Sequence, residues 1–87
     1  MFKSKTPEGR RNLCGSRISE YRRRLNLSQN KLAIRLQLAG MDIHKNTIQR
    51  IEAGKAYVTD IEICYFAHCL ECKAEDLLDI SVLKEKN

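Results

Sequence analysis

Lys45, Asn46, Gln49 and Arg50, in and just before the stretch NTIQRIEAGK, could make directed hydrogen bonds to a flat partner. At about 100° per residue they fall on one arc of a helix, with small Ala53 beside them. Thr47, Ile48 and Ile51 share the other arc, and Glu52 sits at the boundary next to Ile48. Two amides and two cations are the groups that read base edges. Asn and Gln pair bidentately with adenine, and Arg or Lys pairs with O6 and N7 of guanine. A merely solvated helix face is more often filled with alternating Glu and Lys. Here no acid points outward.

The elements that must hold this helix follow from spacing. Cys14, Ile18, Tyr21 and Leu25 make one apolar stripe, a first helix, with Arg17, Arg23 and Arg24 outside it and Arg22 on its edge. Asn26 follows, a residue that tolerates the left-handed conformation at a helix end. Ser28 reads as the N-cap of a second helix, and Leu27 and Leu32 have the spacing of a hydrophobic staple. That helix carries Leu32, Ala33 and Leu36 on one side, reaches about Ala39 and stops at Gly40. Ile34 and Leu38 lie on its opposite side, to meet a partner protein or the N-terminal arm. The third helix, about 44–53, starts from Asp42 or His44 and ends at Gly54. Thr59 and Glu62 have the capping-box pattern of a fourth helix with Ile63, Phe66, Ala67 and Leu70 as its stripe. A short fifth helix is predicted around Leu77 and Leu78. The expected architecture is all-α, five helices in one domain over 13–80. A flexible basic arm (1–12) precedes it and a frayed tail (81–87) follows.

In 87 residues, 43% hydrophobic and 31% charged composition suits a small folded domain. No apolar run approaches the roughly 18 residues of a membrane span, so no membrane partner is expected. The N-terminus MFKSKTPEGRR lacks the apolar region of a secretory signal, which points to the cytoplasm. A net charge of +5 favours a polyanionic partner without naming one. Cys64, His68, Cys69 and Cys72 invite a zinc reading, but a second ligand pair is missing, and buried thiols in a reducing compartment are the better reading. No metal or cofactor is expected. Nor is an enzyme, since no nucleophile, base and orienting group stand together.

A capped helix beginning Ser28-Gln29 ahead of the amide-and-cation helix is the layout in which the second helix of a pair enters the major groove of DNA. Lys55 and Tyr57, just past Gly54, could flank a phosphate, and so could Gln29 with the free amides of its helix end. The segments LSQNKLAIRL, IHKNTIQRIEAGK and FAHCLECKAEDLL resemble the helix-turn-helix family of phage repressors and Cro, or XRE-type regulators, from about Ile18 to Leu78. The resemblance implies a five-helix domain that binds double-stranded DNA, commonly as a dimer on two half-sites, and regulates transcription. It puts Lys45, Asn46, Gln49 and Arg50 on the recognition helix and Gln29 at a backbone phosphate. It also pairs Arg22 with Glu52 as a structural ion pair. The chain departs from the family between Leu36 and Thr47, where about five extra residues fall near Gln37–Met41. His44 also stands where a Ser or Thr cap is usual. The alternative is a helix-turn-helix used for protein contact, antitoxin-like, through Ile34 and Leu38.

Overall fold

The computed structural model describes residues 5–83. Among them are four α-helices and no strand: α1 (Gly15–Arg24), α2 (Gln29–Leu38), α3 (Lys45–Glu52) and α4 (Asp60–Cys69). The expected fifth helix is instead a four-residue 3-10 turn, Ala74–Leu77, followed by a second, Ile80–Leu83. So few residues cannot sustain an α-helical ladder. The Asp76 carboxylate accepts the Lys73 amide (3.0 Å) and closes the first turn. Leu77 is fully buried under it, and Leu78 is already extended. The second turn takes in 81–83 of the expected tail, and 84–87 lie outside the described residues.

Each helix begins and ends for a local reason. Ser28 Oγ accepts the Lys31 amide (3.0 Å) at the start of α2. Thr59 and Glu62 form the capping box of α4. At the start of α1 the Asn12 side chain accepts the Gly15 amide (2.8 Å). All four α-helices close with the same pair of reversed bonds. At α2 the Gly40 amide bonds the Gln37 carbonyl (3.1 Å) and the Met41 amide the Leu36 carbonyl (2.9 Å). At α3 the Gly54 and Lys55 amides do the same to Ile51 (3.0 Å) and Arg50 (2.9 Å). Each closure needs one left-handed residue: Asn26, Gly40, Gly54 and Glu71.

The core is Ile18, Leu32, Leu36, Ile48, Ile51, Phe66, Leu70 and Leu77, with smaller Cys14, Ala33 and Ala67 between them. α3 packs on α1 and α2, and α2 also packs on α4. Gly15 touches the carbonyl of Ile51, so a side chain there would force α1 and α3 apart. The extra residues before α3 do not lengthen α2, which stops at Leu38. They make a turn that buries Met41 and Ile43 and is tied by Gln37 Nε2 to the Ile43 carbonyl (2.7 Å). His44 is the N-cap of α3 in extended backbone, without a side-chain cap bond.

Of the N-terminal arm expected over 1–12, residues 1–4 lie outside the described part. Residues 5–12 do not hang free. Thr6 and Asn12 are buried. The Arg11 amide bonds the Gly54 carbonyl (2.9 Å), and Arg10 donates to the Glu52 carbonyl (3.0 Å). Asn12 Nδ2 bonds the carbonyls of Ile51 (3.1 Å) and Ala56 (2.8 Å). The last carbonyls of a helix lack intrahelical partners; the closure of α3 serves those of Arg50 and Ile51, and this segment adds donors at Ile51, Glu52 and Gly54.

Candidate nucleic-acid interface

The orientation of α3 is fixed beneath it by Ile48 and Ile51, both buried, and on one flank by Glu52. Arg22 meets Glu52 in a bidentate pair, Nε to Oε2 at 2.7 Å and Nη2 to Oε1 at 3.0 Å. The two side chains are only 10% and 8% exposed. The remaining donor of Arg22 bonds the Leu27 carbonyl (2.7 Å), so one guanidinium joins α1, the α1–α2 turn and α3. The bonds to Glu52 raise the Arg22 pKa above its usual value, against the opposing effect of burial.

Gln29, expected beside a phosphate, donates its side-chain amide to Glu52 Oε1 (3.0 Å). It thus becomes a third member of the ion-pair cluster. What its helix end can still offer an anion is backbone. Ser28 satisfies the Lys31 amide, and the amides of Gln29 and Asn30 precede any carbonyl that a helix could give them.

The opposite face of α3 is open. Lys45, Asn46, Gln49, Arg50 and Ala53 are all exposed. Thr47, read from the sequence as part of the apolar arc, is exposed too, because two isoleucines suffice to fill the contact with α1 and α2. Asn46 and Ala53 lie most directly opposite the buried pair, with Gln49 and Arg50 to either side. The single acid of α3 is turned away and bonded, so the outward face carries amides, a hydroxyl and two cations. Arg50 is bent toward the end of the helix, where Nη2 meets the Lys55 carbonyl (3.3 Å). Lys55 is exposed, and Tyr57 is partly exposed with the Arg11 guanidinium 5.5 Å over its ring.

Sequence reasoning missed Thr47, the Gln29 bond, and the closeness of Arg10, Arg11 and Asn12 to α3. Asn12 carried a signal: Asn just ahead of a helix is a capping type. The cysteines form no cluster with other ligands. Among the described residues no group of three His, Cys, Asp or Glu could hold a metal. Burial pushes the Cys14 thiol up to about 11, away from the thiolate that a metal would need. No helix among these residues is long and apolar enough to cross a membrane.

No protein-family model and no curated protein sequence matches the chain. Among solved structures it is similar to the restriction-modification controller protein C.AhdI from Aeromonas hydrophila. The TM-score is 0.65 at 25% identity, over 74% of this chain and 86% of that one. This likeness agrees with the motifs in LSQNKLAIRL and NTIQRIEAGK and with the packing of α2 against α3. In fold the chain is a helix-turn-helix domain of the phage-repressor, or XRE, type.

Proposed function

We propose that the chain is a sequence-specific DNA-binding transcriptional regulator of the cytoplasm that lays α3 in the major groove, as a homodimer on a palindromic site. One observation carries the reading. The only acid of α3 is bound from below by Arg22 and Gln29, and every outward position is an amide, a hydroxyl, a cation or a small residue. Such a face matches base edges and phosphates and repels neither. The fold it shares with a restriction-modification controller protein supports a regulatory role over an enzymatic one. In this reading Asn46 and Gln49 read bases, with Lys45 and Arg50 beside them. Lys55, Tyr57 and the Gln29 end of α2 hold the backbone.

Selection of bound duplexes from a random pool tests the proposal and should return a palindrome. Affinity for the selected duplex should fall steeply with salt. Gln49→Ala should relax preference at one base position by about 1–3 kcal/mol while the other positions keep theirs. Equally weak, salt-independent binding to selected and scrambled duplexes would exclude the reading.

A second reading, an antitoxin-like protein contact, is favoured by one specific feature. Leu38 is 84% exposed at the end of α2, and Ile34 is exposed a turn before it. A pull-down with nuclease present separates the two: a stable protein partner and no DNA favours the second.

A further inference from the structure

We infer that the segment before α1 forms a second wall of the DNA interface, in which Lys5 and Arg11 join Arg50 and Lys55 along neighbouring phosphates of the duplex backbone. This rests on the DNA-binding reading above and assigns to it residues outside the helix pair. The four cations line one open groove with Gly9 and Gly54. No carboxylate lines it, and among the described residues none of the four makes an ion pair. They come from two separate segments, at 5–11 and 50–55. Like charges gathered from distant parts of a chain repel one another unless an anion lies between them.

The groove is built in detail. Thr6 and Arg10 close a small ring: the Thr6 amide bonds the Arg10 carbonyl (2.8 Å) and the Arg10 amide bonds Thr6 Oγ1 (2.9 Å). The Arg11 amide then docks on the Gly54 carbonyl (2.9 Å). Arg11 is stacked on Tyr57, and Arg50 is held toward the groove by the Lys55 carbonyl. A helix C-terminus would ordinarily repel an anion, because its last carbonyls carry partial negative charge. Here the same segment offsets that charge with added donors. Arg10 covers the Glu52 carbonyl, and Asn12 takes those of Ile51 and Ala56. Two glycines give the groove a floor without side chains. It opens beside the outer face of α3, where a strand bordering the major groove would run.

The test is the salt dependence of duplex binding by the full chain, for the parent, Lys5→Gln, Arg11→Gln and the double variant. Each single change should reduce the slope of log K against log salt by about one, and the double by about two. The ratio of affinities for selected and scrambled duplexes should stay at the parent value. Arg11→Lys should restore most of the slope, which separates charge from folding. If the double variant keeps the parent slope, the site is overturned and the DNA-binding reading stands. If the parent binds no duplex, both fall.

Discussion

Glu52 shows how one carboxylate can serve an interface that it does not enter. It is the only acid of α3, and it accepts from Arg22 twice and from Gln29 once, nearly out of reach of water. The desolvation of two such charges can cancel their attraction, so the pair matters less as net stability than as a constraint on angle. Breaking one half is another matter. Glu52→Ala should lose about 3–5 kcal/mol in urea unfolding, since Arg22 is left charged and buried. Replacing Arg22 and Glu52 together by Met and Leu should recover most of that loss. A single-variant loss below about 1 kcal/mol would mean that the pair behaves as a solvated one. The pairing was legible through the family resemblance, and the position of both residues at the border of an apolar stripe fits it. The third partner was not. Whether an amide 23 residues before Glu52 reaches it depends on the distance between α2 and α3, and no periodicity encodes that distance.

Among the elements, the helix ends were more legible than the helix count. Gly40, Gly54 and Asn26 announced three of the four stops, and the residues themselves give the reason: each adopts positive φ at little cost. The fourth stop falls on Glu71, at φ 59, and no sequence rule points to a glutamate there. Leu77 and Leu78 looked helical because adjacent apolar residues fit several periods. Only the short span between Cys72 and Asp79, whose amide is anchored to the Leu13 carbonyl (3.2 Å), decides against a helix. Two substitutions test the closures in opposite directions. Glu71→Gly should raise stability by up to about 1 kcal/mol in thermal unfolding, despite loss of the exposed contact to Arg35. Gly54→Ala should lower it by about 1–2 kcal/mol through backbone strain alone. The added methyl would also sit 2.6 Å from the Arg10 guanidinium carbon, so a loss at the upper end is expected.

Across the whole molecule the polar face of α3 and an apolar face lie on different elements. Ala39, Ile61, Cys64, Tyr65 and His68 line one shallow hollow between the end of α2 and α4. Leu38 lines the adjoining hollow, which shares Ala39 and His68, and Ile61 is 68% exposed. The fold leaves these side chains without cover, and a homodimer is the proposed occupant. Ile61→Lys and Leu38→Lys should each shift sedimentation toward monomer and weaken binding to a palindrome more than to a single half-site. A parent chain that sediments as a monomer while bound to its palindrome would remove the dimer. Of this face the sequence showed Ile34 and Leu38. The contribution of α4 could not be read, because Ile61 belongs to no stripe until the packing of α2 on α4 is known.

The docking of residues 10–12 on the end of α3 changes what an alteration at the amino end would mean. In a protein whose leading segment trails in solvent, trimming it or fusing a tag to it leaves the reading surface as it was. Here a deletion that reaches Arg10 or Asn12 would remove their donors from the last carbonyls of α3. Under the DNA-binding proposal, weakened binding in a chain so shortened would report on a frayed α3 as much as on any missing lysine or arginine.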